Sequence, residues 1–174
     1  MALNILQGNV LDAKAEAIIL TIDGAAKGME GNLSREFASR FPGVWNEIQN
    51  KIEYPVPLGS VIEYETAGKC AFRLVLLATT LNHLEMISDP AREGIIRDVT
   101  EKSLNIAAKY KINNIASPVL TGGWRLTMQK AFLSIVDGFE RARQNGITAN
   151  LDIHIMNMNH YKNIKSLAQN IGWR

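Results

Sequence analysis

The sequence carries one cysteine, Cys70, in 174 residues. A single thiol excludes an internal disulfide and a cysteine-rich zinc site, and a reducing, cytoplasmic location is the expectation that follows. Cys70 stands beside an apolar strand and reads as structural rather than nucleophilic. A dominant charge is missing too. The formal net charge of +2 is too small to argue for direct nucleic-acid binding or a membrane-surface partner. No apolar run is long enough to span a bilayer, and Met1–Gln7 has no signal-peptide layout. There is no internal repeat, low-complexity tract or linker. No residues have metal-ligand spacing, no carboxylate pair suggests glycosidase work, and no cofactor is expected.

What is present is an ordinary globular balance, 47% hydrophobic and 21% charged, which fits one domain over residues 1–174 with a core that needs no staple. Ala2–Gln7 alternates as a first strand. Ala15–Ile22 is nearly continuous apolar sequence, the mark of a strand buried on both faces. Helices are predicted over Leu33–Phe41, with Asn32 as N-cap, and over Gly43–Ile52. Tyr54–Gly59 is a break. Val61–Thr66 and Ala71–Thr79 read as strands around a turn at Gly68–Lys69. Asp89–Pro90 opens a helix to about Tyr110, with Asp89 as its cap. Ile112–Val119 is a strand. Thr127–Arg143 is an amphipathic helix closed by Gly146. Leu151–Met156 and Tyr161–Ile171 complete the chain. The alternation predicts an α/β fold: a three-layer α/β/α sandwich around a mixed, mostly parallel sheet of about six strands.

Two loops stand out. Pro118–Arg125, reading P-V-L-T-G-G-W-R, joins a buried strand to a helix through two glycines. Gly24–Asn32 leaves another buried strand in the same way. Such loops expose backbone N–H groups to an anion, and glycine lets a phosphate approach the main chain closely. Both leave the carboxyl ends of strands, so they should share one rim. A diphosphate held between them is the physical hypothesis.

These segments resemble the macro domain family. L-Q-G-N-V-L-D-A-K-A-E-A-I-I-L-T-I-D is similar to the family opening, in which a G-D-[IV] motif precedes a strand ending in asparagines. A-K-G-M-E-G-N with L-S-R-E-F-A-S-R-F-P, and P-V-L-T-G-G-W-R-L, resemble the two phosphate loops of the branch that holds terminal ADP-ribose glycohydrolases and antitoxins that remove ADP-ribose from DNA. The resemblance covers nearly the whole chain in element order. It implies binding of ADP-ribose or a related nucleotide, alone or carried on an ADP-ribosylated macromolecule. Asn9 and Val10 would face the adenine, and Asp23 would lie near the distal ribose. Lys27, Gly28, Met29, Gly31 and Asn32 would belong to the first loop, and Leu120, Thr121, Gly122, Gly123 and Trp124 to the second. An anionic Asp23 beside a diphosphate would need Lys27 or Arg125 to offset it.

The sequence departs from the pattern in several places. Asn9 stands where the family usually has aspartate, and its carbonyl accepts without charge. The strand asparagines are reduced to Leu20 and Asp23. Ala78-Thr79-Thr80 and Trp124-Arg125 lack the lysine and aspartate that the glycohydrolase branch uses. No aromatic residue stands at Met156-Asn157-Met158. Asp23 alone could activate a water. Among the histidines, His83 falls on the predicted rim and is the one to test, whereas His154 reads as a packed or surface residue. Trp124 either covers a ribose or base or plugs the pocket. Three functions stay open, in this order: a nucleotide-binding reader or sensor, an ADP-ribosyl hydrolase, and a degenerate scaffold without ligand. Gly122→Val is expected to abolish binding while leaving the Tm nearly unchanged.

Overall fold

The computed structural model describes residues 1–173. The strands are β1 (Leu3–Gln7), β2 (Ala17–Asp23), β3 (Val61–Glu65), β4 (Leu74–Leu81), β5 (Asn114–Pro118) and β6 (Asn150–Ile155). The helices are α1 (Asn32–Arg40), α2 (Pro42–Lys51), α3 (Asp89–Lys109), α4 (Met128–Gln144) and α5 (Met158–Asn170), with one turn of 3-10 helix at Val10–Asp12. The strands form one sheet in the order β1-β6-β5-β2-β4-β3. Only the β3–β4 pair is antiparallel. The expected mixed, mostly parallel sheet between helical layers is what the chain forms. Among the described residues no helix is long and apolar enough to cross a membrane.

Two apolar clusters cover the two faces. One packs α3, α4 and α5 against Ile19, Leu76, Ile115 and Ile153. The other packs α1, α2 and the 3-10 turn against Ile18, Leu20, Val75 and Leu77. Because successive strand residues point to opposite faces, β2 and β4 feed both clusters, and their polar residues, Thr21, Asp23, Thr79 and Thr80, stand towards their carboxyl ends. β6 differs. Leu151, Ile153 and Ile155 are buried on one face, while Asp152 and His154 are only partly covered on the other. The α1–α2 layer lies over β2 and β4, and leaves the β6 end of the sheet open.

Several local expectations shift by a residue or more. The α1 N-cap is Gly31, and Asn32 is the first helical residue, so its side chain is not the cap. Ser88, not Asp89, caps α3 by accepting from the Ala91 N–H. The Asp89 carboxylate is instead taken by Lys130 Nζ at 2.8 Å. Strand β4 starts at Leu74 rather than Ala71, because the preceding turn is longer than Gly68–Lys69. The Thr66 hydroxyl donates to the Phe72 carbonyl at 2.6 Å and closes it.

Candidate functional site

The site begins with a failure of pairing. β2 and β5 are neighbours, but they pair only at Ala17–Ile115 and Ile18–Ala116. Beyond that point β2 follows β4 and β5 follows β6, so the sheet divides towards its carboxyl rim. This is also where the chain order reverses, the usual place for a ligand crevice in a parallel sheet. Pro118 has no N–H with which to continue a ladder. A cleft of about 410 Å³ opens between Thr21 on β2 and Pro118, at the end of β5, with Val119 after it.

The α1 N-terminus forms one wall through Gly31, Asn32 and Leu33. Its cap is a glycine that makes no side-chain hydrogen bond, so the N–H groups of the first turn are left for an external acceptor. The opposite wall is Thr121, Gly122, Gly123 and Trp124. Here three residues in a row are left-handed, with φ of +61°, +66° and +65° at Gly122, Gly123 and Trp124. Thr121 sets this turn: its hydroxyl oxygen accepts from the Trp124 N–H at 3.1 Å and its carbonyl from Leu126 at 3.0 Å. Among the described residues no protein acceptor takes the N–H of Gly122 or Gly123. Trp124 is 75% exposed at the mouth.

The far end of the cleft is polar. The Asn9 side-chain carbonyl accepts from the Leu11 N–H at 3.0 Å, and its amide donates to Glu36 Oε1 at 2.9 Å. Glu36, from the exposed side of α1, therefore brings a carboxylate to the cleft beside the neutral asparagine. His154 lies on the open face of β6 and also lines the cleft. Both its ring nitrogens are buried and have no hydrogen-bond partner. Burial pushes its pKa below the ordinary histidine value, with nearby Asp152 acting weakly the other way. Met156, Asn157 and His160 border the same end.

The structure thus brings Asn9, Val10, Gly31, Asn32, Thr121, Gly122, Gly123 and Trp124 around one cleft. The other sequence candidates stand elsewhere. Lys27, Gly28 and Met29 are exposed on the first loop outside the cleft, and the Gly28 N–H is occupied by Glu30 at 3.1 Å. Leu120 is buried in the core. Arg125 lines a separate hollow behind the second loop. Asp23 is buried, and neither Lys27 nor Arg125 partners it. A register shift between Ile22 and Asp23 sets it against the end of β4. There one oxygen accepts from the Ala25 N–H at 2.9 Å and the other meets His83 Nδ1 at 3.1 Å. His83, not Lys27 or Arg125, is therefore its side-chain partner. Among the described residues no cluster could hold a metal ion.

Sequence reasoning missed Glu36 and His154. The only signal for Glu36 was its place one helical turn beyond Asn32, which puts both on one face. Nothing local distinguishes His154, because its place in the cleft lining comes from the missing helix above β6. The expectation for Gly122→Val also changes. A Cβ there would lie 2.9 Å from Arg92 Cδ and 3.1 Å from the Thr80 carbonyl oxygen, in a backbone conformation that valine resists. That variant should lose stability, contrary to the expected unchanged Tm.

No protein-family model matches the sequence, and no curated protein matches it. Solved structures do. The Oceanobacillus iheyensis macrodomain with MES bound is similar at a TM-score of 0.79 and 14% identity, over 95% of this chain and 92% of that one. The macrodomain of Mycobacterium tuberculosis DarG is similar at 0.70 and 18% identity, over 89% and 98%. Alphavirus P23pro-zbd gives 0.74 and 12% identity, and there this chain, covered over 98% of its length, spans only 24% of the longer one. At such identities the likeness speaks for architecture: the chain has the macrodomain fold.

Proposed function

We propose that the cleft binds ADP-ribose or a related nucleotide diphosphate, and that the protein acts as a reader or sensor of that ligand, free or attached to a macromolecule. The observation that carries this is the pair of facing donor sets: an uncapped α1 N-terminus on one wall, and the unpaired Gly122 and Gly123 N–H groups on the other. Helix termini and exposed amides favour an anion spread over both walls. The volume is that of a small-molecule site. A purine at the far end would meet the Glu36 carboxylate, one oxygen of which is already shared by Asn9 and Arg40, as acceptor for an exocyclic amine, and the Trp124 indole would cover a sugar or base. The Oceanobacillus iheyensis macrodomain is itself solved with ADP, and a mutant of it with ADPR, which supports this choice of ligand.

Calorimetric titration tests it. ADP-ribose and ADP bind saturably, AMP binds at least tenfold more weakly because it offers one phosphate to two donor sets, and NAD reports how much room the distal ribose has. No heat with any of the four sinks the reading in favour of a filled scaffold. Hydrolysis of ADP-ribose from a target is the second reading, and the Asp23–His83 pair is the observation in its favour.

A further inference from the structure

Behind the second loop lies a hollow of about 180 Å³, lined by Leu81, Glu85, Met86, Asp89, Arg92 and Arg125. It is smaller than a nucleotide site requires. Arg92 comes from the first turn of α3, and its side chain runs under Gly122. It is only 5% exposed, yet its guanidinium makes no hydrogen bond or ion pair among the described residues. None of its nitrogens is among the fully enclosed, unpartnered atoms, so the guanidinium reaches the hollow, and holding a charge there with so little water is costly unless something compensates it. Its surroundings add to the cost. Burial and then the neighbouring Arg125 charge lower its hold on its proton, with Asp89 opposing.

The carboxylates lining the hollow do not serve Arg92. Glu85 accepts from Asn82 Nδ2 at 2.6 Å, and Asp89 is held by Lys130 at 2.8 Å. Neither lies within ion-pair distance of either arginine. Two cationic forks therefore converge on a small hollow whose acidic groups are already engaged. Guanidinium groups match tetrahedral oxyanions through two parallel N–H donors.

We infer that Arg92 and Arg125 form a second anion site, distinct from the cleft, which takes one phosphate group. An oxyanion between them satisfies both guanidiniums and removes their mutual repulsion. The inference does not depend on what fills the cleft. The two sites share the Thr121–Arg125 turn, whose Gly122 faces the cleft and rests on the Arg92 stem.

The test is an NMR titration of the whole chain, following the Nε–Hε signals of Arg92 and Arg125, with inorganic phosphate and with dimethyl phosphate against chloride at matched ionic strength. Both arginine signals shift saturably with at least one phosphate compound and stay put with chloride. Inorganic phosphate alone points to a free or terminal phosphate, and dimethyl phosphate to a diester of a polymer backbone. Arg125→Gln, at an exposed position, weakens binding tenfold or more, and so does Arg92→Gln if it folds. Three results overturn the inference: arginine shifts that follow chloride equally, phosphate shifts confined to the Asn32 and Gly123 amides of the cleft, or undiminished affinity in Arg125→Gln.

Discussion

Trp124 holds φ at +65° and is 75% exposed. The left-handed region costs an ordinary residue about 1–2 kcal/mol, and little packing repays it here. A strained, exposed aromatic beside a cleft is an argument for contact with a ligand. Trp124→Gly removes the strain, but it also adds unfolded-state entropy worth about 0.4–1 kcal/mol. Stability by urea melt should therefore hold or rise by up to about 1 kcal/mol. ADP-ribose affinity should drop about tenfold, in line with a stacking contribution of about 1–3 kcal/mol. A clear loss of stability with unchanged affinity would make Trp124 a plug for the pocket instead.

His154 allows a pH argument at the same scale. Burial depresses its folded pKa below the unfolded value of 6.5. The unfolded chain then binds more protons between the two values, so stability rises with pH across that window. Acidification from pH 7 should cost stability once the pH passes below about 6.5, until the folded pKa is also passed. His154→Gln should flatten this slope in melts between pH 7 and pH 5. An unchanged slope would assign the acid sensitivity to carboxylates.

At the scale of elements, periodicity made α4 legible in the sequence: Ala131, Phe132, Ile135 and Phe139 fall on one face and all are buried. The apolar runs of β2 and β4 were legible for the same reason. Caps and loops were not, because tertiary contacts decide them. Lys130 draws Asp89 away from a capping role. Gly24 is pinned between strands, its N–H donating to Leu81 at 2.8 Å and its carbonyl accepting from Val56 at 2.7 Å. That pinning fixes where the first loop departs, and with it which loop residues reach the cleft. Gly31→Val is the cleaner probe of the α1 wall. Gly31 has φ −70°, and a Cβ there meets nothing within 4 Å. Stability should fall by less than about 1 kcal/mol, the order of a capping effect, whereas nucleotide affinity should fall tenfold or more. By contrast, a Cβ on Gly138 would lie 2.3 Å from the Arg97 carbonyl where α4 crosses α3. Gly138→Ala should cost about 1–3 kcal/mol by overpacking and leave the affinity of the folded protein unchanged.

For the whole molecule, the sheet order decides what chemistry is within reach. The split between β2 and β5 opens the cleft; of the two glycine loops read in the sequence, the second lines it through Thr121–Trp124, while the first reaches it only at Gly31 and Asn32. The sequence could not foretell that Asp23 would turn out of the cleft, since that depends on the register shift against β4. Asp23, the candidate that the sequence offered for activating a water, is therefore bound to His83 and the Ala25 N–H, outside the cleft lining. No lysine stands at Ala78-Thr79-Thr80, and Arg125 is a cation that cannot serve as a general base. A general base must come within hydrogen-bond reach of the water it activates; Asp23 does not line the cleft, and Glu36, which does, is already held by Asn9 and Arg40. Incubation with ADP-ribosylated protein and ADP-ribosylated DNA should release no ADP-ribose above the uncatalysed rate. Turnover lost in both Asp23→Ala and His83→Gln would make that pair the catalytic base and this protein a hydrolase. Turnover indifferent to both changes would move the search to Glu36, His154 and His160, the ionisable groups that line the cleft.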